Sequence, residues 1–148
     1  MENKKILLVE DNPDDVELTK RALKKSNILN ELIVAEDGVE ALNYFFGEDN
    51  NNSGCAIEDL PVVVLLDLKL PKVDGLEVLR RMRANEKTKM TPVIILTSSN
   101  EQKDVVSSYG FGANSFVRKP VKFNDFAEAI KVLGLYWLVL NETAQNGK

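Results

Sequence analysis

The sequence predicts an α/β protein, a three-layer α/β/α sandwich around a parallel five-stranded sheet. Two observations indicate this fold class. Short apolar runs alternate along the 148 residues with longer segments that repeat apolar side chains at helical spacing, as in βαβ units. Several short runs, such as residues 62–66, are apolar at every position, which is typical of strands covered by helices on both faces.

The strand-length runs lie at residues 5–9, 32–35, 62–66, 93–96 and 115–117. The first helix should begin at Asn12-Pro13-Asp14-Asp15, where asparagine can cap, proline fits the first helical position and acids favour the first turn. Right-handed crossovers leave few topologies for such a chain. We therefore predict the flavodoxin-like (βα)5 fold with sheet order 2-1-3-4-5.

The chain has the size of one domain, which we expect to span residues 1–148. A polar, Asn-rich stretch at about 47–60 predicts a surface-loop insertion before the third strand, and its single cysteine, Cys55, is interpreted as an incidental thiol. The last helix is expected to be extended, over about 122–141. No room remains after Lys148 for an output domain, so a stand-alone protein is expected.

Composition excludes several function classes. The chain contains no histidine, so a Ser-His-Asp hydrolase, a Cys-His protease and a histidine zinc site are excluded within it. A net charge of −4 argues against nucleic acid as a partner, because such binding depends on Lys and Arg neutralising phosphates. Neither a signal peptide nor a membrane-spanning run is present, and we expect a cytoplasmic protein that does not bind membranes.

Asp67 follows the buried strand at residues 62–66, where an ionised carboxylate is costly unless it has a partner or a use. Ligands of open α/β sheets collect at the carboxyl ends of the strands. In the predicted order, those ends bring one group of polar residues into the same crevice: Glu10, Asp11, Asp67, Thr97, Ser98 and Lys119.

Carboxylates clustered in this way repel one another, and a bound cation would relieve the repulsion. Oxygen ligands of this kind suit Mg²⁺ or Mn²⁺, metals that usually work with phosphate. The Thr97 hydroxyl and the Lys119 ammonium could hold phosphoryl oxygens. With Asp67 as the acceptor, the product would be an acyl phosphate.

The same residues lie in four motifs that resemble those of two-component response-regulator receiver domains. The resemblance covers about residues 4–133, and its motifs are Glu10-Asp11, Asp67 with residues 69–75, Thr97-Ser98-Ser99, and residues 116–120. It implies that Asp67 is the phosphoacceptor and receives its phosphoryl group from a sensor histidine kinase. It also implies a protein that assists its own phosphotransfer and autodephosphorylation without being an enzyme.

The resemblance further assigns roles by position. Glu10, Asp11, Asp67 and the backbone carbonyl of Lys69 would hold Mg²⁺ or Mn²⁺. Thr97, Lys119 and the backbone of Ser98 would contact the phosphoryl group, with Thr97 and Phe116 as the switch pair. The Lys119–Pro120 peptide bond is usually cis in the family. The output surface would be the final helix-strand-helix face, which signals by binding a downstream protein of unknown identity.

Residues 132–140 are apolar on nearly every side, whereas a surface helix buries only one stripe. We therefore predict a homodimer whose interface includes Tyr136, Trp137 and Val139. The long loop and the Trp-bearing last helix also resemble single-domain receivers that are paired with cyanobacterial-type phytochrome kinases.

Two other functions remain open. A small Mg²⁺-dependent phosphatase could use Asp67 as nucleophile, but enzymes of the haloacid-dehalogenase type carry a second aspartate where this chain has Lys69. A pseudo-receiver would never be phosphorylated, although every expected site residue is present. Asp14 and Asp15 are interpreted as helix-capping acids in preference to metal ligands, and Asp74-Gly75 as a turn and helix start.

Overall fold

The computed structural model describes residues 4–48, 54–98, 101–119 and 123–134. Five strands alternate with five helices, and a short 3₁₀ helix precedes the third strand. Their bounds are β1 Ile6–Val9, α1 Pro13–Lys25, β2 Leu32–Ala35, α2 Gly38–Phe46, the 3₁₀ helix Ile57–Asp59, β3 Val63–Leu66, α3 Gly75–Ala84, β4 Val93–Thr97, α4 Gln102–Gly110, β5 Ser115–Arg118 and α5 Phe123–Gly134.

The sheet is parallel throughout and has the order β2-β1-β3-β4-β5, which confirms the predicted topology. Val9, the last residue of β1, pairs with Ala35 on one side and with Leu66 on the other. At the far side of the sheet, Thr97 of β4 pairs with Arg118 of β5. The carboxyl ends of these strands are therefore aligned along one edge.

The three central strands, β1, β3 and β4, are buried on both faces because helices pack against each face of the sheet. Side chains on one face of the sheet, including Leu7, Val64 and Ile95, pack with α2 and α3. The alternate side chains, on the other face, pack with α1 and α5. β1, β3 and β4 are buried at every position, as their continuous apolar sequences predicted.

Polar side chains fix the starts of two helices next to the strand ends. The Asn12 Oδ1 accepts hydrogen bonds from the backbone N–H groups of Asp14 at 2.8 Å and Asp15 at 3.4 Å, which confirms the predicted cap of α1. Asp74 caps α3 by accepting from the N–H of Glu77 at 3.0 Å, so Asp74-Gly75 is a helix start as predicted.

The described part of the insertion packs against α2. The Cys55 N–H donates to the Tyr44 carbonyl at 2.8 Å, and the Tyr44 hydroxyl donates to the Asp59 carbonyl at 3.0 Å. Asp59 also forms an ion pair with Lys5 at 2.9 Å. Burial raises the pKa of the Cys55 thiol, which disfavours the nucleophilic thiolate. Residues 49–53 lie outside the described residues.

Within the described ranges, no helix has both the length and the apolar character needed to cross a membrane. The described part of the last helix, α5, ends at Gly134. The remainder of the predicted extension to about residue 141 lies outside the described residues.

Candidate functional site

Four ionisable side chains meet at the carboxyl edge of the sheet. Glu10, Asp67 and Lys119 are each the first residue after their strands β1, β3 and β5, and Asp11 follows Glu10. Carboxylate oxygens of Glu10, Asp11 and Asp67 lie within 4.8 Å of one another. Glu10 and Asp67 are buried, whereas Asp11 is exposed. The structure thus brings together the acids that the sequence placed in one crevice.

Backbone pairing holds Asp67 at this edge. Its N–H donates to the Val9 carbonyl of the neighbouring strand at 3.1 Å, which continues the β1–β3 ladder by one residue. The Asp67 Oδ1 accepts a hydrogen bond from the Lys69 N–H at 3.3 Å. Lys69 itself is exposed, at the start of the loop that leads to α3. Asp67 is therefore held by the neighbouring strand β1 and by the loop that follows it.

Lys119 is the cation of the cluster. Its Nζ donates to Glu10 Oε1 at 2.5 Å, to Asp15 Oδ2 at 2.8 Å and to Asp67 Oδ2 at 3.2 Å, and its side chain is only 10% exposed. The Lys119 N–H donates to the Thr97 carbonyl at 2.8 Å, which anchors its backbone to the end of β4. Lys119 therefore lies in the same crevice as the acids, and three of them share its charge.

Sequence reasoning missed the contribution of Asp15. It lies in the first turn of α1, where it was interpreted as a helix-capping acid, but its carboxylate turns inward to Lys119. One signal was present: Asp15 precedes the buried Thr19 by four residues, and residues four apart share one face of a helix. The Thr19 hydroxyl donates to the Asp15 carbonyl at 2.8 Å.

Burial and excess negative charge determine the electrostatics. Burial raises the pKa of Glu10 to about 7, opposed by the Lys119 hydrogen bond and assisted by the charge of Asp67. Burial alone would lower the pKa of Lys119, but hydrogen bonds to Asp15 and Glu10 outweigh it and raise that pKa, so the ammonium stays charged. A donor set of carboxylate oxygens with excess negative charge fits a hard divalent cation.

Thr97 and Phe116 lie on the same face of the sheet. Thr97 is the last residue of β4 and is fully buried. Phe116 pairs with Ile95, two residues before Thr97, and packs partly buried against the core cluster between the sheet and α2 and α3. Ser98, the first residue after β4, is exposed at the edge. Thr97 and Phe116 are therefore diagonal neighbours on adjacent strands.

Four predicted positions lie outside the described residues. One is Pro120, of the Lys119–Pro120 peptide bond. The other three are residues of the predicted dimer interface, Tyr136, Trp137 and Val139.

The fold and site together define a class: a (βα)5 sheet of order 2-1-3-4-5 with three acids and a lysine at its carboxyl edge, typical of phosphoryl-accepting signalling domains. The family model of the response regulator receiver domain matches residues 6–131. The chain belongs to this family, whose members are signalling proteins of two-component systems. The family resemblance predicted from the sequence is confirmed.

A curated relative is the response regulator Rcp1 of Synechocystis sp. (strain ATCC 27184 / PCC 6803 / Kazusa). The chain is 37% identical to it over 137 residues, which cover 91% of this chain and 89% of Rcp1. The crystal structure of the Mn²⁺-bound form of Rcp1 superposes with a TM-score of 0.82 at 34% identity and covers 95% of this chain and 98% of that one.

Two further solved structures are similar over nearly the whole chain. The phosphorylated cyanobacterial phytochrome response regulator RcpA has a TM-score of 0.83 at 34% identity, with 96% of this chain and 99% of that chain covered. The bacteriophytochrome response regulator AtBRR has a TM-score of 0.70 at 53% identity, with 96% and 100% covered. The narrower likeness to phytochrome-type response regulators is thus confirmed.

Proposed function

We propose that this receiver accepts a phosphoryl group on Asp67 from a phosphohistidine of a sensor histidine kinase and then signals through protein binding. The observation that carries the proposal is the convergence of Lys119 with Glu10 and Asp67 at the carboxyl ends of strands β5, β1 and β3 of one sheet. Two similar proteins support it, because RcpA has been crystallised in a phosphorylated form and Rcp1 in a Mn²⁺-bound form.

In the proposed transfer, a carboxylate oxygen of Asp67 attacks phosphorus and the phosphorus–nitrogen bond of the donor breaks. The histidine nitrogen departs with the electron pair, and Asp67 becomes an acyl phosphate that water later hydrolyses to phosphate. Lys119 lies 3.2 Å from Asp67 Oδ2, within reach of a phosphoryl oxygen on that side chain. Its role is to neutralise charge and to orient the group.

Glu10, Asp11, Asp67 and the backbone carbonyl of Lys69 would hold Mg²⁺ or Mn²⁺, which neutralises charge on the transferring group when bound. Carboxylate oxygens of Glu10, Asp11 and Asp67 lie within 4.8 Å of one another. Holding them there costs repulsion of roughly 4 kcal/mol per pair at ~4 Å and an effective dielectric of ~20. That repulsion favours a cation in the site.

The switch we propose connects Asp67 to the α4-β5-α5 face. A phosphoryl dianion on Asp67 would attract the Thr97 hydroxyl and the backbone N–H of Ser98, and Phe116 would repack on the same sheet face. α4 is suited to move, because its one buried residue is Ser108 and, among the residues that the structure describes, no side chain caps its start. Weakly anchored elements open at low free-energy cost.

The downstream protein would bind the α4-β5-α5 face. Four large apolar side chains remain exposed there, on α4, on the turn after it and on α5: Val106, Tyr109, Phe111 and Val132. Val106 and Tyr109 are three residues apart and so share one side of the helix. Apolar surface of this kind, close to a charge-controlled element, fits a regulated protein interface.

We further propose a homodimer through the segment that contains Tyr136, Trp137 and Val139, on the apolar character of that segment. Sedimentation of Trp137→Glu should show loss of the dimer mass. Leu29→Glu, at a side chain 82% exposed between α1 and β2, is the matched control and should leave the mass unchanged. A Trp137→Glu variant that sediments as a dimer would disprove this interface.

Incubation with acetyl phosphate and Mg²⁺, followed by intact-mass measurement, tests the function. We expect an adduct of about 80 Da, one phosphoryl group, that is absent in Asp67→Asn and present in Asp125→Asn, an exposed aspartate of α5. Beryllofluoride binding should be measured in parallel, because rapid hydrolysis can hide the adduct. Steady phosphomonoester turnover would support the phosphatase alternative, and neither adduct nor beryllofluoride binding would support the pseudo-receiver.

A further inference from the structure

Asp15 differs from the other two acceptors of the Lys119 ammonium. Glu10 and Asp67 belong to the carboxylate trio that can hold a cation, whereas Asp15 lies outside that trio. Asp15 comes from helix α1, and its side chain is 32% exposed, compared with 3% for Glu10 and 10% for Asp67. One ammonium is therefore shared between the trio and a separate acid on a neighbouring helix.

This arrangement sets up a competition for the lysine. Lys119 neutralises Glu10 and Asp67 through contacts of 2.5 and 3.2 Å, and these are two of the three carboxylates that could hold a divalent ion. A cation that takes those two carboxylates repels the ammonium, which must then rely on its 2.8 Å contact with Asp15. Asp15 is thus the acceptor available to Lys119 when a cation occupies the trio.

We propose that Asp15 is a positioning residue that draws Lys119 away from the carboxylate trio, thereby favouring Mg²⁺ binding and restraining the lysine from the phosphoryl group. The effect on the phosphoryl group rests on the proposed function, whereas the effect on Mg²⁺ binding depends only on the ion pairs of Lys119. Two opposite effects should therefore follow from removing the Asp15 carboxylate.

The first effect is on Mg²⁺. In Asp15→Asn the ammonium loses its outer acceptor and stays on Glu10 and Asp67, and the site also loses one negative charge. Both changes weaken cation binding. Because Asp15 is partly exposed and screened, the dissociation constant for Mg²⁺ should rise by roughly three- to tenfold. Titration calorimetry of the unphosphorylated protein measures this directly.

The second effect is on the phosphoryl group and has the opposite sign. Once Mg²⁺ saturates the site, Lys119 in Asp15→Asn has no competing carboxylate on α1, and one less negative charge faces an incoming anion. Beryllofluoride should then bind about threefold more tightly than to the wild-type protein, and phosphorylation by acetyl phosphate should be faster by a similar factor.

The controls separate positioning from general damage. Asp14→Asn removes the same charge from the same exposed helix turn, and it should change neither constant by more than about twofold. Asp15→Glu keeps the carboxylate, so its dissociation constants for Mg²⁺ and beryllofluoride should both lie close to the wild-type values. A merely structural role of Asp15 would weaken Mg²⁺ and beryllofluoride binding together and would lower the unfolding temperature in EDTA.

Three outcomes would overturn the proposal: both constants unchanged in Asp15→Asn, both weakened, or Asp14→Asn reproducing the pair of shifts. Failure of the proposed function would be different, because the wild-type protein would then bind no beryllofluoride and form no adduct. In that case the change in Mg²⁺ affinity of Asp15→Asn still decides whether Asp15 controls Lys119.

Discussion

Gly75 lies against the backbone of Asp67. A Cβ at position 75 would lie 2.2 Å from the Asp67 carbonyl oxygen and 2.8 Å from the Cα of Leu68. The Gly75 N–H donates to the Leu68 carbonyl at 2.9 Å, which closes the loop between Asp67 and α3. A glycine at the start of α3 therefore allows this loop to fold back on the strand end that carries Asp67.

Gly75→Ala should destabilise the protein by about 2–3 kcal/mol, because backbone atoms must shift to admit the methyl group. Urea unfolding measures this. Gly110→Ala is the control, since nothing lies within 4 Å of a Cβ there, and as a substitution at the end of α4 it should be neutral or stabilise by up to about 1 kcal/mol. Equal changes in unfolding free energy for Gly75→Ala and Gly110→Ala would show that the approach of Gly75 to the Asp67 backbone is not what limits the side chain at position 75.

Arg83 joins three segments at the amino-terminal edge of the sheet. Its guanidinium donates to the Gly112 carbonyl at 3.0 Å, the Thr91 carbonyl at 2.8 Å and Asn114 Oδ1 at 3.0 Å. Burial lowers the pKa of Arg83, so these bonds offset a real desolvation cost. The Asn114 Oδ1 also accepts from the Val93 N–H at 2.8 Å, at the start of β4.

Arg83→Met should cost about 2–4 kcal/mol of unfolding free energy, because several partly buried acceptors lose their donor at once. Arg81→Met is the matched control on the same helix. Its side chain is 48% exposed and pairs with Glu77, and such a surface pair contributes less than about 1 kcal/mol. Thermal and urea unfolding should show a clearly larger loss of stability in Arg83→Met than in Arg81→Met. Similar losses in the two variants would contradict the structural role given to Arg83.

Glu10 should make the metal-free protein less stable as pH rises. Its carboxyl has a pKa of about 7 in the folded state against 4.5 as its ordinary value, so the folded state holds a proton that the unfolded chain releases. The associated stability is present below about pH 4.5 and is lost as pH rises through 7, by about 3 kcal/mol at about 1.4 kcal/mol per pKa unit.

Urea unfolding in EDTA, from about pH 4 to about pH 8, measures this loss. The side chain in Glu10→Gln cannot titrate, so the unfolding free energy of this variant should fall less with rising pH. An equal fall in the variant would rule Glu10 out as its source. The Mg²⁺ affinity of the wild-type protein should rise over the same range, because the cation requires the ionised carboxylate.

Ser108 is a buried polar group in α4. Its Oγ has no hydrogen-bond partner among the described residues, and the residue is fully buried. Ser108→Ala should therefore stabilise the protein by about 0.5–1 kcal/mol, since a desolvated hydroxyl is removed. Ser107→Ala, one position earlier and less buried, should be close to neutral. Destabilisation by Ser108→Ala would indicate that the hydroxyl makes a contact on α4 in solution.

Much of the fold was predictable from the sequence because its signals are local. Continuous apolar runs such as residues 62–66 indicated strands buried on both faces, and Asn12 and Asp74 indicated helix starts. The sheet order then followed from the handedness of parallel crossovers. Even the meeting of Glu10, Asp67 and Lys119 could be predicted, because parallel strands in one register end at one edge.

Contacts that depend on the packing of separate elements were not predictable. The bond from Lys119 to Asp15 depends on the rotation of α1 about its axis, which is fixed by packing with the sheet and α5. The acceptors of Arg83 are mainly backbone carbonyls, which carry no sequence signature. The approach of Gly75 to Asp67 depends on the path of a loop.

The sequence by itself determined the strands, their order and the identity of the acids and the lysine at the edge. The reason is that apolar periodicity and the positions of strand ends depend on residues close together in the chain. Only the tertiary structure decided how Lys119 is shared. Glu10, Asp15 and Asp67 come from three elements, and their distances to one nitrogen depend on how those elements pack.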